Sequence, residues 1–85
     1  MRCFIYKSSK RVDLYLYIEK KDDFSRLPEP LFVSIGTPEF VMELVLSPER
    51  KLAREDVNKV ISSLKNKGFF IQLPPVRVNA PKKVQ

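Results

Sequence analysis

The chain has 85 residues, of which 44% are hydrophobic and 31% charged, with 16 Lys/Arg, 10 Asp/Glu and a formal net charge of +6. That length fits one domain and not two, and that composition supports a core and argues against a wholly disordered chain. There is no histidine, one cysteine and two glycines, which leaves out Ser-His-Asp and Cys-His catalysis, CxxC redox pairs, thiolate metal clusters, GxGxxG and Walker loops.

The first element is a strand over Arg2–Lys7, with Cys3 and Ile5 on one face and Phe4 and Tyr6 on the other. Ser8-Ser9-Lys10-Arg11 reads as a polar turn. A second strand runs from Leu14 to Glu19. Leu14, Leu16 and Ile18 share one of its faces, Tyr15 and Tyr17 the other, so both faces are apolar and the strand belongs in the middle of a sheet. The short turn makes strands one and two an antiparallel hairpin.

Lys20-Lys21-Asp22-Asp23 breaks the pattern. Asp22 is the expected N-cap of a short turn through Phe24, Ser25 and Arg26, which ends at Leu27-Pro28. Pro28-Glu29-Pro30 opens a second short helix that stops at Gly36. Thr37-Pro38-Glu39 is expected to form an N-capped turn to Phe40, with a third strand over Met42–Leu46 and a charged loop over Ser47–Lys51.

Periodicity is strongest between about Arg54 and Lys67. Val57, Val60, Ile61 and Leu64 form one apolar stripe. Glu55 and Asp56 are assigned to the first turn, Lys65 and Lys67 to the last, both favourable to the helix dipole. Gly68 ends this helix, Phe69–Leu73 forms the fourth strand, and Pro74-Pro75 terminates it. The resulting order is β-β-(short helices)-β-α-β. This predicts an α+β domain over residues 1–75, a four-stranded, largely antiparallel sheet covered on both faces. Residues 76–85 are expected to be a disordered basic tail. All ten acidic residues precede Pro75, whereas Arg77, Lys82 and Lys83 follow it. Half of the basic excess therefore lies in the tail, which weakens any nucleic-acid reading based on total charge.

The runs Ile5–Arg11, Tyr15–Pro28, Gly36-Thr37-Pro38, Lys51-Leu52 and Gly68–Pro75 together resemble the YcgL family of small proteobacterial proteins. The resemblance covers nearly all of residues 3–75. It implies an α/β/α sandwich and carries over no catalytic residue, metal or cofactor.

Two segments hold the candidate binding residues. Lys7, Ser8, Ser9, Lys10 and Arg11 form a turn whose cations, hydroxyls and N–H groups could grip phosphates; the plain alternative is a solvated hairpin tip. Glu19, Lys20, Lys21, Asp22, Asp23 and Arg26 hold the densest acidic group. Paired carboxylates can bind Mg²⁺ or transfer protons, but the interleaved cations favour capping and ion pairing. The basic residues past strand two should lie at the opposite sheet end from the hairpin turn. Tyr15 and Tyr17 have the spacing of base-stacking aromatics, yet Phe24, Phe32 and Phe40 come from segments expected to cover a sheet face, so core packing is favoured. Cys3, within a strand, reads as a small apolar core residue.

With no signal peptide or membrane span, and one unpaired cysteine, the cytoplasm is the expected compartment. The functional expectation is a monomeric, non-enzymatic binding or adaptor module for a protein or RNA partner, without cofactor. The alternatives are nucleic-acid binding through the hairpin turn and a carboxylate-dependent enzyme at Glu19–Asp23.

Overall fold

The computed structural model describes residues 1–52 and 55–74. The chain runs β1 (Arg2–Lys7), β2 (Tyr15–Ile18), α1 (Glu29–Ile35), β3 (Glu39–Val45), α2 (Val57–Asn66) and β4 (Phe69–Gln72). All pairings are antiparallel and the spatial order is β3-β1-β2-β4. The hairpin strands are therefore central, as the two-sided apolarity of Tyr15–Ile18 requires, and β3 and β4 are the edges.

A helix lies on each face. On one, Cys3, Ile5, Tyr17, Leu44 and Leu46 pack with Val57, Val60 and Leu64 of α2. On the other, Tyr6, Leu14, Leu16 and Ile18 pack with Leu27 and with Ile35 of α1. The alternation read from the sequence thus sorts correctly into an α2 face and an α1 face. The aromatic cover is distributed differently from the expectation. Phe24 and Phe40 stack edge-on against Tyr6 on the α1 face. Tyr17 instead sits on the α2 face, edge-on to Phe70 at 5.6 Å. Its neighbours come from the later half of the chain, which local sequence order does not reveal.

Several boundaries move: β2 is Tyr15–Ile18 rather than Leu14–Glu19, and β4 ends at Gln72 rather than Leu73. β3 runs from Glu39 to Val45, starting three residues before the expected Met42 and ending one before Leu46, and it takes over the last residue of the expected Thr37–Glu39 turn. The reason is Phe40, which pairs with Tyr6 and is drawn into the ladder; Ile5 pairs with Met42, leaving Val41 as a bulge. α2 begins at Val57 rather than near Arg54, which lies outside the described residues. Asp56 is its N-cap, accepting from the Asn58 N–H at 2.9 Å, so neither it nor Glu55 lies in the first turn. Lys67 is the C-cap residue rather than part of the last turn. The tail from Pro75 onward lies outside the described residues.

Gly36 and Gly68 both stop helices at positive φ, 79° and 88°. Each also permits a close approach. A Cβ on Gly36 would meet Ser9 Oγ, and one on Gly68 would lie 2.7–2.9 Å from the Arg26 side chain.

Candidate functional site

The Ser8–Arg11 turn is folded against the C-terminal end of α1. Ser8 Oγ donates to the Ile35 carbonyl at 2.6 Å and accepts from the Lys10 and Arg11 N–H groups at 3.1 and 2.9 Å. Lys10 Nζ donates to the Val33 carbonyl at 3.3 Å. Helix C-termini carry unpaired carbonyls and partial negative charge, so a hydroxyl and an ammonium there complete the helix end. Lys7 is paired with Glu39 across β1 and β3 at 3.6 Å. Ser9 and Arg11 remain exposed. Two N–H groups that an anion would need are thus already directed at Ser8.

The Glu19–Arg26 segment folds back across the α1 face. Tyr6, almost fully buried, fixes it: its hydroxyl donates to Asp22 Oδ1 at 2.9 Å and accepts from the Asp22 N–H at 2.7 Å. Burial pushes the Tyr6 phenol above its ordinary pKa, and the Asp22 carboxylate adds to that rise. Asp22 adopts φ 62°, a left-handed conformation that Asp tolerates better than most residues. Asp22 is therefore not the N-cap expected of it; the constraint is tertiary, set by a phenol sixteen residues earlier. The local cap is Asp23, whose Oδ1 accepts from the Ser25 N–H and hydroxyl at 3.1 and 2.6 Å. Those two bonds hold the Asp23 carboxyl below its usual range. Phe24–Arg26 forms a turn without helix.

Lys21 places its Nζ 4.6 Å from the centroid of the Phe40 ring, a cation–π contact. It is carried over the α1 face toward β3 instead of standing off the far sheet end. Arg26 lies against Gly68 and, with Glu19, Lys20 and Asp23, lines a small polar recess of about 160 Å³. Among the described residues no group of three or more His, Cys, Asp or Glu is arranged to hold a metal ion. Asp22 and Asp23 each have a structural partner. Cys3 is fully buried, and burial pushes its thiol up to about 11, the setting of an inert core cysteine.

The largest surface anomaly lies elsewhere, on β3. Phe40, Val41, Met42 and Val45 are 47%, 44%, 44% and 58% exposed, on a seven-residue strand whose outer side has no strand neighbour among the described residues. Val33 and Phe32 of α1 are also exposed. With Lys10, Gly36, Thr37 and Pro38 they border an open hollow of about 440 Å³ just before β3. Sequence reading missed this edge because the residues look like an ordinary strand. Its available signal was a strand-length apolar run, Phe40–Val45, with Glu43 as its sole charge and no Lys or Pro to blunt it.

No helix among the described residues is long and apolar enough to cross a membrane. The YcgL domain model matches residues 3–75. A YcgL domain-containing protein of Azotobacter vinelandii is 52% identical over 73 residues, covering 86% of this chain and 75% of the relative. That of Serratia proteamaculans is 56% identical over 75 residues, 88% of this chain and 83% of the relative. A third, from Pectobacterium carotovorum, is 53% identical over 75 residues and 88% of each chain. The runs quoted from the sequence fall within the matched region, and the helix-sheet-helix layering agrees with them: the chain belongs to the YcgL domain family.

Proposed function

We propose that the protein is a non-enzymatic cytoplasmic binding module whose partner is a protein, docked by strand addition along β3. The observation that carries this reading is the uncovered apolar edge at Phe40–Val45. Unpaired strand edges offer rows of N–H and C=O groups to an incoming strand, and apolar side chains beside them add affinity. An edge of this kind is an aggregation hazard unless something occupies it. The structural uses of Asp22, Asp23 and the Ser8 turn weigh in the same direction, since they employ the groups that an enzyme or a phosphate site would require.

Site-specific photo-crosslinking in living cells tests the reading. A benzophenone side chain at Val41 or Val45 is expected to yield one discrete protein adduct. The same group at Asn58, on the exposed side of α2, is expected to yield none. Adducts no stronger at Val41 and Val45 than at Asn58 would overturn it.

A further inference from the structure

We infer that the β3 edge receives an extended acidic–apolar segment of the partner protein, with one bulky apolar side chain seated in the hollow before β3. This rests on the protein-docking reading above and adds the chemistry of the segment.

The hollow and the edge are continuous. Thr37 and Pro38 line the hollow and lead directly into Glu39, the first residue of β3. An added antiparallel strand would end there and a parallel one would begin there. Exposed Phe32 and Val33 on α1 form the apolar side of the hollow. Its position beside an unpaired edge suits a side chain alternating off an added strand.

Charge selects the sign of the segment. Both carboxylates of β3 are neutralised from β1, Glu43 by Arg2 at 2.7 Å and Glu39 by Lys7 at 3.6 Å. The cations beside the apolar row are not. Lys10 reaches only a carbonyl, and Lys21 lies over the Phe40 ring; neither has a carboxylate partner among the described residues. The surface therefore presents two uncompensated positive charges flanking Phe32, Val33 and Phe40, and Asp or Glu in the incoming segment complements them. A second copy of this chain fits less well. Its β3 is acidic and apolar, but its carboxylates are held by its own Arg2 and Lys7.

The test is selection of a random dodecapeptide library displayed on phage against the full chain. Enriched sequences are expected to alternate Asp/Glu with apolar residues and to carry one large apolar residue. A synthetic enriched peptide is expected to shift the amide resonances of Glu39–Val45, Val33 and Thr37. Lys10→Glu with Lys21→Glu is expected to weaken it by at least about tenfold, the effect of losing charge complementarity. Lys59→Glu with Lys65→Glu on α2 is expected to leave binding within about twofold, as for charges remote from the contact. Circular dichroism of each variant verifies the fold. Basic or uncharged peptides at β3, or no enrichment while Val41 still crosslinks, would overturn the acidic segment and leave protein docking standing. Peptides that map away from β3, together with no Val41 adduct, would overturn both. Concentration-dependent dimerisation blocked by Val41→Lys would assign the edge to a second copy and overturn the inference.

Discussion

The two edges of the sheet are built on opposite plans. β4 has four residues, is preceded by a glycine in a left-handed conformation and is followed by Leu73-Pro74. Its side chains are half-buried or buried. Ser63 of α2 donates to the Phe69 carbonyl at 2.7 Å, so the helix supplies part of what a neighbouring strand would. β3 has seven residues, six of them exposed, and among the described residues no helix cover over Val41, Met42 or Val45 comparable to that over β4. Shortness, a proline stop and a covering helix are the usual means of blunting an edge. They are applied on one side only. On β3 the described residues supply only the bulge at Val41 and the ion-paired Glu39 and Glu43. A domain that closes one edge and leaves the other open has its fold invested at β4 and its accessible pairing groups at β3.

The strongest way to break this contrast is to uncover β4. Leu64 is fully buried where α2 meets the sheet. Leu64→Ala is expected to cost about 2–5 kcal/mol, the range for deleting a buried leucine. A domain of this size has little more stability than that. Chemical denaturation is expected to show a strongly lowered midpoint or no cooperative transition, and amide exchange to speed up first in Phe69–Gln72. A change under 1 kcal/mol would mean that α2 does not hold that edge.

The core beneath the edges supplies the next effect. Burial pushes the Cys3 thiol up from its ordinary 9.0 to about 11. A raised folded pKa means that the neutral thiol is the form the fold prefers. Its contribution is complete below pH 9 and is lost as pH rises from 9 through about 11. Alkaline unfolding is expected to steepen in that window, and Cys3→Ala, though less stable at neutral pH, should lose that part of the slope. An equal slope in both proteins would assign the alkaline transition to other groups, Tyr6 first among them.

Much of this architecture was legible in the sequence. Tyr15–Ile18 announced a central strand because both of its faces are apolar, and the Val57–Leu64 stripe announced α2. Helix stops at Gly36 and Gly68 were readable because φ > 0 is a local demand. What escaped was set by contacts between distant segments. Asp22 reads locally as a cap, and only the fold brings Tyr6 to it. The Ser8–Arg11 turn reads as a phosphate grip, and only the fold brings the end of α1 beneath it. The exposure of β3 escaped for a related reason. An apolar strand has the same letters whether it lies at the centre or the edge of a sheet, and strand order is not written in the strand.

Tyr6 is where the Glu19–Arg26 segment is joined to the β3 side of the sheet, and its removal has an intermediate cost. Tyr6→Phe keeps the ring contacts with Phe24 and Phe40 and deletes both bonds to Asp22. Asp22 is exposed and regains water, so the expected loss is about 1–2 kcal/mol rather than the cost of a buried orphan. The informative readout is local. Amide exchange over Lys20–Arg26 should accelerate while Phe69–Gln72 keeps its protection. Loss of protection in both places would show that the segment and β4 form one cooperative unit, as the Arg26–Gly68 approach would permit.

The smallest expected effect bears most directly on the open edge. Val41 is the bulged residue of β3, has no cross-strand partner and is half exposed. Val41→Glu removes no core contact and introduces a charge, a means by which edge strands are commonly protected. Its stability is expected to stay within about 0.5 kcal/mol of the parent, and its solubility to rise. The same substitution places a carboxylate where an acidic segment must pair, so partner capture through β3 should disappear. Stability kept and binding lost would separate the two edges by role. A loss of stability like that of Leu64→Ala would show instead that β3 is held by contacts as tight as those of β4, and its exposed side chains would then be part of the fold rather than of a docking surface.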